Sequence, residues 1–69
     1  MPVTRIAGGK TFNNRERVWY DTAYTGQATT NVRRGSEEFK KLDSGLRDIA
    51  NMIGGTVVVV WKTKAYRIQ

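Results

Sequence analysis

Basic side chains are interleaved with aromatic rings in two segments of this 69-residue chain. Lysine and arginine bind phosphate and carboxylate groups, and aromatic rings exposed on a sheet stack on nucleic acid bases or anchor protein interfaces. The combination predicts a basic binding surface on neighbouring strands. Its candidate residues are Arg15, Arg17, Trp19, Lys62, Lys64 and Arg67.

These features also have a purely structural interpretation. In a domain this small, large aromatic side chains such as Trp19, Trp61 and Tyr66 usually fill the core, and exposure decides between core and binding platform. Twelve Lys and Arg against six Asp and Glu give a net charge of +6. That charge either keeps the chain soluble or attracts an anionic partner.

Catalytic chemistry has few candidates. The chain has no histidine and no cysteine, which excludes disulfides, thiolate metal sites and the commonest general base. Most carboxylates lie on or beside a predicted helix. Asp21 lies on an aromatic strand, where we expect an ion pair with Arg17 or Arg33. We therefore expect no enzyme, no metal site and no cofactor.

One amphipathic helix is predicted over residues 36–53. Ser36 or Gly35 can cap its start, and Gly54-Gly55 ends it. Gly45 leaves two alternatives, a continuous helix or a kink at residues 43–45 between two short helices. The apolar residues form a narrow stripe that suits packing on a sheet, and they are Phe39, Leu42, Leu46, Ile49 and Ile53.

The remaining segments have strand and turn character. Residues 56–61 are an unbroken β-branched and aromatic run, typical of a central strand, and residues 65–68 pair with it as a hairpin. We expect a first strand at residues 3–6, a hairpin loop at 13–16, a strand at 17–24 and a polar edge strand at 28–34. On the strand 17–24, Val18, Tyr20 and Tyr24 share one face and Trp19 lies on the other.

This order of elements predicts a single α+β domain over residues 1–69. We expect a small antiparallel, strongly curved sheet or partial barrel of about five to six strands, with the helix packed on it. No apolar segment is long enough to span a membrane. Because the start of the chain lacks the apolar run of a signal peptide, we expect a cytoplasmic protein unless the chain is a domain of an exported one.

Four sequence words, in order, resemble a small C-terminal accessory module of bacterial proteins that carry a vault/inter-alpha-trypsin domain and a von Willebrand factor A domain. The chain departs from that pattern at Arg17, where a glycine tends to stand, and in its shorter helix. The resemblance implies a non-catalytic, β-rich accessory module and supplies no functional residues. The words are residues 9–12 (GKTF), 18–24 (VWYDTAY), 35–39 (GSEEF), and 55–61 (GTVVVVW) with 64–68 (KAYRI).

The first functional hypothesis is a non-enzymatic binding module that presents a basic sheet surface to a protein partner. The alternatives are a nucleic-acid-binding module that contacts phosphates through the same surface, or a small inhibitor of a partner enzyme. Salt dependence separates the first two, because phosphate binding releases counterions. A homodimer through a sheet edge is a further hypothesis, should the strand 56–61 be exposed there.

Overall fold

The structure is a computed structural model that describes residues 4–69, so Val3 of the first predicted strand lies outside the described residues. Within them, six strands form one sheet with two helices on one face, which confirms the α+β class. The elements are β1 (Thr4–Ala7), β2 (Lys10–Arg15), β3 (Val18–Asp21), β4 (Thr29–Val32), α1 (Glu37–Lys40), α2 (Ser44–Ile53), β5 (Thr56–Trp61) and β6 (Lys64–Ile68).

The sheet is mixed rather than wholly antiparallel. Its strand order is β1-β2-β3-β5-β6-β4, with parallel pairing between β3 and β5 and between β4 and β6. The chain leaves β3, crosses to β4 and returns through both helices before it enters β5. A connection of that length permits parallel pairing, whereas the short turns elsewhere impose antiparallel pairing. The sheet stays open, and β4 is one of its edges, as predicted.

The turn between β2 and β3 lies later in the chain than predicted. β2 continues through Asn13 and Asn14 to Arg15, so most of the predicted loop belongs to the strand. Glu16 and Arg17 form the turn, with positive φ angles of 52° and 68°. Such mirror-image turns match the twist of the flanking strands. Because neither residue is Gly, Asn or Asp, the usual sequence signal for this turn is missing.

The predicted helix is present as two segments, as in the kinked alternative, but the break lies at residues 41–43, and Ser44 and Gly45 already belong to α2. Ser36 caps α1 by accepting a hydrogen bond from the Phe39 amide at 3.2 Å. Gly54 ends α2 with a φ of 75°. Asp43 occupies the N-cap position of α2, but its carboxylate binds no amide of that helix. Within residues 4–69, neither helix combines the length and the apolar character needed to cross a membrane.

The core lies between α2 and one face of the sheet. The predicted stripe of α2 is buried there, and Phe39 and Leu42 pack at its margin. Burial of each large apolar side chain contributes about 1.5–3 kcal/mol, so this single layer of contacts supplies most of the stability that a chain this small can have. The main core residues are Phe12, Trp19, Leu46, Ile49, Ile53, Val57, Val59 and Ile68.

Two arginines hold the carboxyl end of α2 from opposite edges of the sheet. Arg5 on β1 donates to the Ile53 carbonyl at 2.6 Å. Arg34, beyond β4, donates to the Ala50 carbonyl at 2.7 Å and to the Gly55 carbonyl. The last carbonyls of a helix lack partners within it and carry the negative end of its dipole. Partial burial lowers the pKa of Arg34. The side chain remains a cation, and its guanidinium is bound at this end of α2.

Substitution of Gly45 by a larger residue is predicted to destabilise the domain, because a side chain there would collide with the Trp61 ring. It lies in the first turn of α2 without a positive φ, and a Cβ there would stand 2.9 Å from Cη2 of Trp61. Overpacking costs about 1–3 kcal/mol, whereas Ala gains up to about 1 kcal/mol in helix propensity. Gly45→Ala should therefore lower the free energy of unfolding by about 1 kcal/mol in urea titrations. The control is Ser44→Ala, which should stay within about 0.5 kcal/mol of the parent. A Gly45→Ala variant as stable as the parent would show that Trp61 does not pack there.

Candidate functional site

The sheet face turned away from the helices is the main candidate surface. Alternate strand residues such as Arg5, Phe12 and Trp19 face α2, so their neighbours along each strand face the other way. No helix or second sheet within residues 4–69 covers that side. We call it the open face, and its main residues are Ile6, Asn13, Arg15, Val18, Tyr20, Val60 and Arg67. Val58 lies on the same side but is buried, with 2% of its surface exposed.

Two tyrosines form the aromatic part of the open face. The rings of Tyr20, on β3, and Tyr24, in the connection to β4, stack with their centroids 5.8 Å apart. A cavity of about 450 Å³ lies beside them, and Asn13 and Arg15 contribute to its lining. That volume lies within the range of about 300–1,000 Å³ typical of binding pockets. The depression is therefore lined by two aromatic rings, an amide, one guanidinium and the carboxylates of Glu16 and Asp21.

Two arginines lie on the open face. Arg67 is half-buried on β6, in register with Val58 on β5 and Asn31 on β4. Arg15 is exposed at the end of β2, opposite Val18. Strand spacing puts the two arginines roughly 15 Å apart. Two carboxylates line the cavity beside Arg15: Glu16, in the turn after β2, and Asp21, at the end of β3, which is paired with Lys10.

The structure does not bring the predicted basic residues into one patch. β3 and β5 are neighbours, but they run parallel, with Val18 level with Thr56. The turn that holds Arg17 therefore lies at one end of the sheet, and the turn that holds Lys62 lies at the other, roughly 17–20 Å away. Lys64 lies at the second end and pairs with the last residue of β5. Of the predicted basic residues, only Arg15 and Arg67 share the open face.

Trp19 is a core residue and presents no open ring face to a partner. Only 8% of its surface is exposed, and the Arg5 guanidinium lies over its ring, 4.7 Å from the centroid. Trp61 and Tyr66 are half-buried against the same core. The core interpretation is confirmed for Trp19, whereas Trp61 and Tyr66 are only partly buried at the margin of the core. The Trp19 ring is not exposed as its predicted binding role requires.

Asp21 is a buried structural carboxylate, with 3% of its surface exposed. Its ion-pair partner is Lys10 and not Arg17 or Arg33 as predicted. The physical reason is its place at the end of β3, beside the start of β2 and far from the turn at Arg17. Its hydrogen-bond donors are Lys10 Nζ at 2.9 Å, the Val60 amide at 3.0 Å and the Ala23 amide at 2.9 Å.

A second cavity, of about 280 Å³, lies on the helix side at the tip of the β5–β6 hairpin. Trp61 is held there, because its Nε1 donates to Asp43 Oδ2 at 2.6 Å. Lys62 Nζ lies 3.6 Å from the same oxygen. The hydrogen bond from Trp61, followed by the charge of Lys62, lowers the pKa of Asp43. We call this cavity the lysine groove, and its main residues are Lys41, Leu42, Trp61, Lys62, Lys64 and Tyr66.

The strand Thr56–Trp61 does not lie at a sheet edge. β5 pairs with β3 on one side and with β6 on the other, which confirms its central position and removes it as a dimer contact. The edges are β1 and β4, which have four residues each within residues 4–69. Edge strands this short offer little backbone for pairing with another chain.

Several residues of the open face and of the lysine groove were not predictable from the sequence. The alternation along β3 correctly separates Tyr20 from Trp19, but it does not show which of the two faces the helices cover. Asn13 falls within a predicted loop, and Lys41 and Leu42 fall within the predicted helix, before the kink that one alternative placed at residues 43–45. The break between α1 and α2 is what turns Leu42 toward the hairpin tip.

Comparison of the chain with models of protein families, with curated proteins and with solved structures gave no match. The resemblance to an accessory module therefore stays a prediction. Within residues 4–69, no group of three or more His, Cys, Asp or Glu side chains could hold a metal ion. Function must be inferred from the two surfaces.

The lowered pKa of Asp43 should be visible at the indole N–H of Trp61. The carboxylate stays charged and bound until the pH falls below its ordinary pKa of 3.8. Its contribution to stability is therefore present above the pKa of the unfolded chain and is lost as the pH falls through the lower folded value. In heteronuclear NMR between roughly pH 5 and pH 2, the indole resonance should shift with a midpoint below 3.8. Asp43→Asn should abolish that shift, whereas a midpoint at or above the ordinary value would contradict the assignment.

Proposed function

We propose that this chain is a small, non-enzymatic binding module that presents the open face of its sheet to a protein partner. The observation that carries the proposal is a sheet face that no helix or second sheet covers among the described residues. A sheet can keep one face in contact with water, but this face carries apolar and aromatic residues such as Ile6, which is 72% exposed, and such residues favour a contact surface. The sequence resemblance to an accessory module implies the same kind of role.

The residues of the open face favour a protein with an acidic surface. Tyrosine and arginine are the residue types most enriched among interface anchors, and Tyr20, Tyr24 and Arg67 supply both types. Half-buried Val18 and Val60 add apolar area between them. The strands place two arginines on this face, and of the two carboxylates that line its cavity Asp21 is already paired with Lys10, which leaves Glu16. The remaining charge is weakly positive and favours a negatively charged partner surface.

A nucleic acid partner is the weaker alternative because the basic residues do not form a track. Single-strand binders place bases on exposed rings along a continuous positive groove. Here Arg17 and Lys62 lie at opposite ends of the sheet. Arg5 and Arg34 are bound to carbonyls at the end of α2, and Lys10 is paired with Asp21. Few positive charges are left to follow a phosphate backbone across the open face.

The absence of the usual catalytic groups supports a binding role over an enzymatic one. The chain contains no histidine and no cysteine, so the commonest general base and the thiolate nucleophile are lacking. Asp21 is buried and bound to three donors. A buried carboxylate held by three donors serves to stabilise the sheet.

The test uses peptides selected from a random display library against the whole chain, with binding followed by NMR titration. We expect the selected peptides to be acidic and to shift the amide resonances of Tyr20 and Arg67. Arg67→Glu should weaken binding about tenfold or more, because it replaces an interface anchor with a repulsive charge. The matched control is Lys40→Glu, which reverses an exposed charge on α1 and should leave the affinity unchanged.

Two results would contradict this proposal. In the first, Arg67→Glu binds the selected peptides as tightly as the parent chain. In the second, the chain binds no peptide but binds an oligothymidylate, with an affinity that falls steeply as salt is raised. The second result would establish the nucleic acid alternative.

A further inference from the structure

We propose that the lysine groove is a second binding site, which takes one apolar side chain flanked by carboxylates from an acidic segment of a partner protein. The groove lies on the helix side of the sheet, whereas the open face lies on the other side. The two sites share no residue. The inference therefore does not rest on the function proposed for the open face.

The size and floor of the groove define the part of the ligand that enters. Leu42, Trp61 and Tyr66 are half-buried and line it, with the fully buried Leu46 beneath them. The volume of about 280 Å³ falls just below the range of about 300–1,000 Å³ that holds drug-sized ligands and cofactors. A groove of that volume admits a single aliphatic or aromatic side chain rather than a whole cofactor.

The rim of the groove defines the charge of the ligand. Lys41, Lys62 and Lys64 surround it, against one carboxylate, Asp43. That carboxylate is already bound by Trp61 and faces Lys62. Within residues 4–69, Lys41 and Lys64 form no ion pair. Ammonium groups on flexible stems can reach carboxylates on either side of an anchored residue, so the rim favours an acidic segment.

The floor of the groove is fixed before any ligand binds. The Trp61 ring is tied to Asp43 at 2.6 Å. It also packs against Gly45, where a side chain would stand 2.9 Å from the ring. A side chain that is already ordered loses little entropy on binding, which favours affinity. Gly45 and Asp43 are therefore positioning residues for the groove.

The experiment titrates the whole chain with short capped peptides and follows the Trp61 indole resonance by NMR. The first peptide, Glu-Glu-Phe-Glu-Glu, should produce a saturable shift. A peptide with Ser in place of Phe should bind about tenfold more weakly, because it lacks the apolar anchor. A peptide with Lys in place of each Glu should not bind. An oligothymidylate is titrated in parallel.

The matched variants separate the groove from the rest of the surface. The double variant Lys41→Gln and Lys64→Gln should weaken binding of the first peptide about tenfold, because both free ammonium groups are lost. Lys40→Gln removes an adjacent, exposed charge that faces Glu37 and should leave the affinity unchanged. Circular dichroism melts verify that each variant is folded.

Three results would overturn the proposal. They are equal binding of the acidic and basic peptides, unchanged affinity in the double variant, and tighter binding of the oligothymidylate at the same residues. The last result would make the groove a phosphate site. Arg67 does not line the groove, so Arg67→Glu tests the open face alone, whereas the double variant Lys41→Gln and Lys64→Gln tests the groove alone. Failure of one proposal can therefore be distinguished from failure of the other.

Discussion

The buried carboxylate of Asp21 is the interaction on which the sheet depends. The half made of β1, β2 and β3 meets the half made of β5, β6 and β4 at one junction, where β3 and β5 pair over three residues each. Asp21 extends that junction by accepting from the Val60 amide, and it ties the junction to β2 through Lys10. A buried charge is costly unless donors surround it, and here three donors do. The junction and the ion pair therefore stabilise each other.

Once the two halves form one sheet, a single helix can cover one side and leave the other open. α2 crosses that side, and Arg5 and Arg34 fix its end from the two edges of the sheet. Some basic side chains are therefore bound within the domain, and others remain accessible to a partner. Arg15 and Arg67 are available on the open face, and Lys41 and Lys64 are available around the lysine groove. The net charge of +6 thus does not form one basic surface.

Local patterns predict the elements of this fold better than they predict its surfaces. The apolar stripe of α2, the central strand β5 and the glycine stop after α2 all follow from short-range residue preferences. The parallel pairing of β3 with β5 depends on a long-range crossover that no local pattern encodes. That pairing decides that Arg17 and Lys62 lie far apart. α2 covers the side of the sheet that holds Trp19, so Trp19 is buried and Tyr20 lies on the open face. The candidate site could therefore not be predicted from residue types alone. The strand topology decides which basic and aromatic side chains lie on each face of the sheet.

The most direct test of this account is amide hydrogen exchange at Val60, measured by NMR in the parent chain and in Asp21→Ala. β3 ends one residue beyond the pairing of Tyr20 with Val58, so only the Asp21 side chain protects the Val60 amide. We predict that in the parent Val60 exchanges as slowly as Val59, which pairs with β6, because both then open only with the whole domain. In Asp21→Ala, Val60 should exchange faster than Val59 if the variant folds, and the variant should lose about 2–4 kcal/mol of stability. Rapid exchange of Val60 in the parent chain, or an Asp21→Ala variant as stable as the parent, would contradict the central role of this carboxylate.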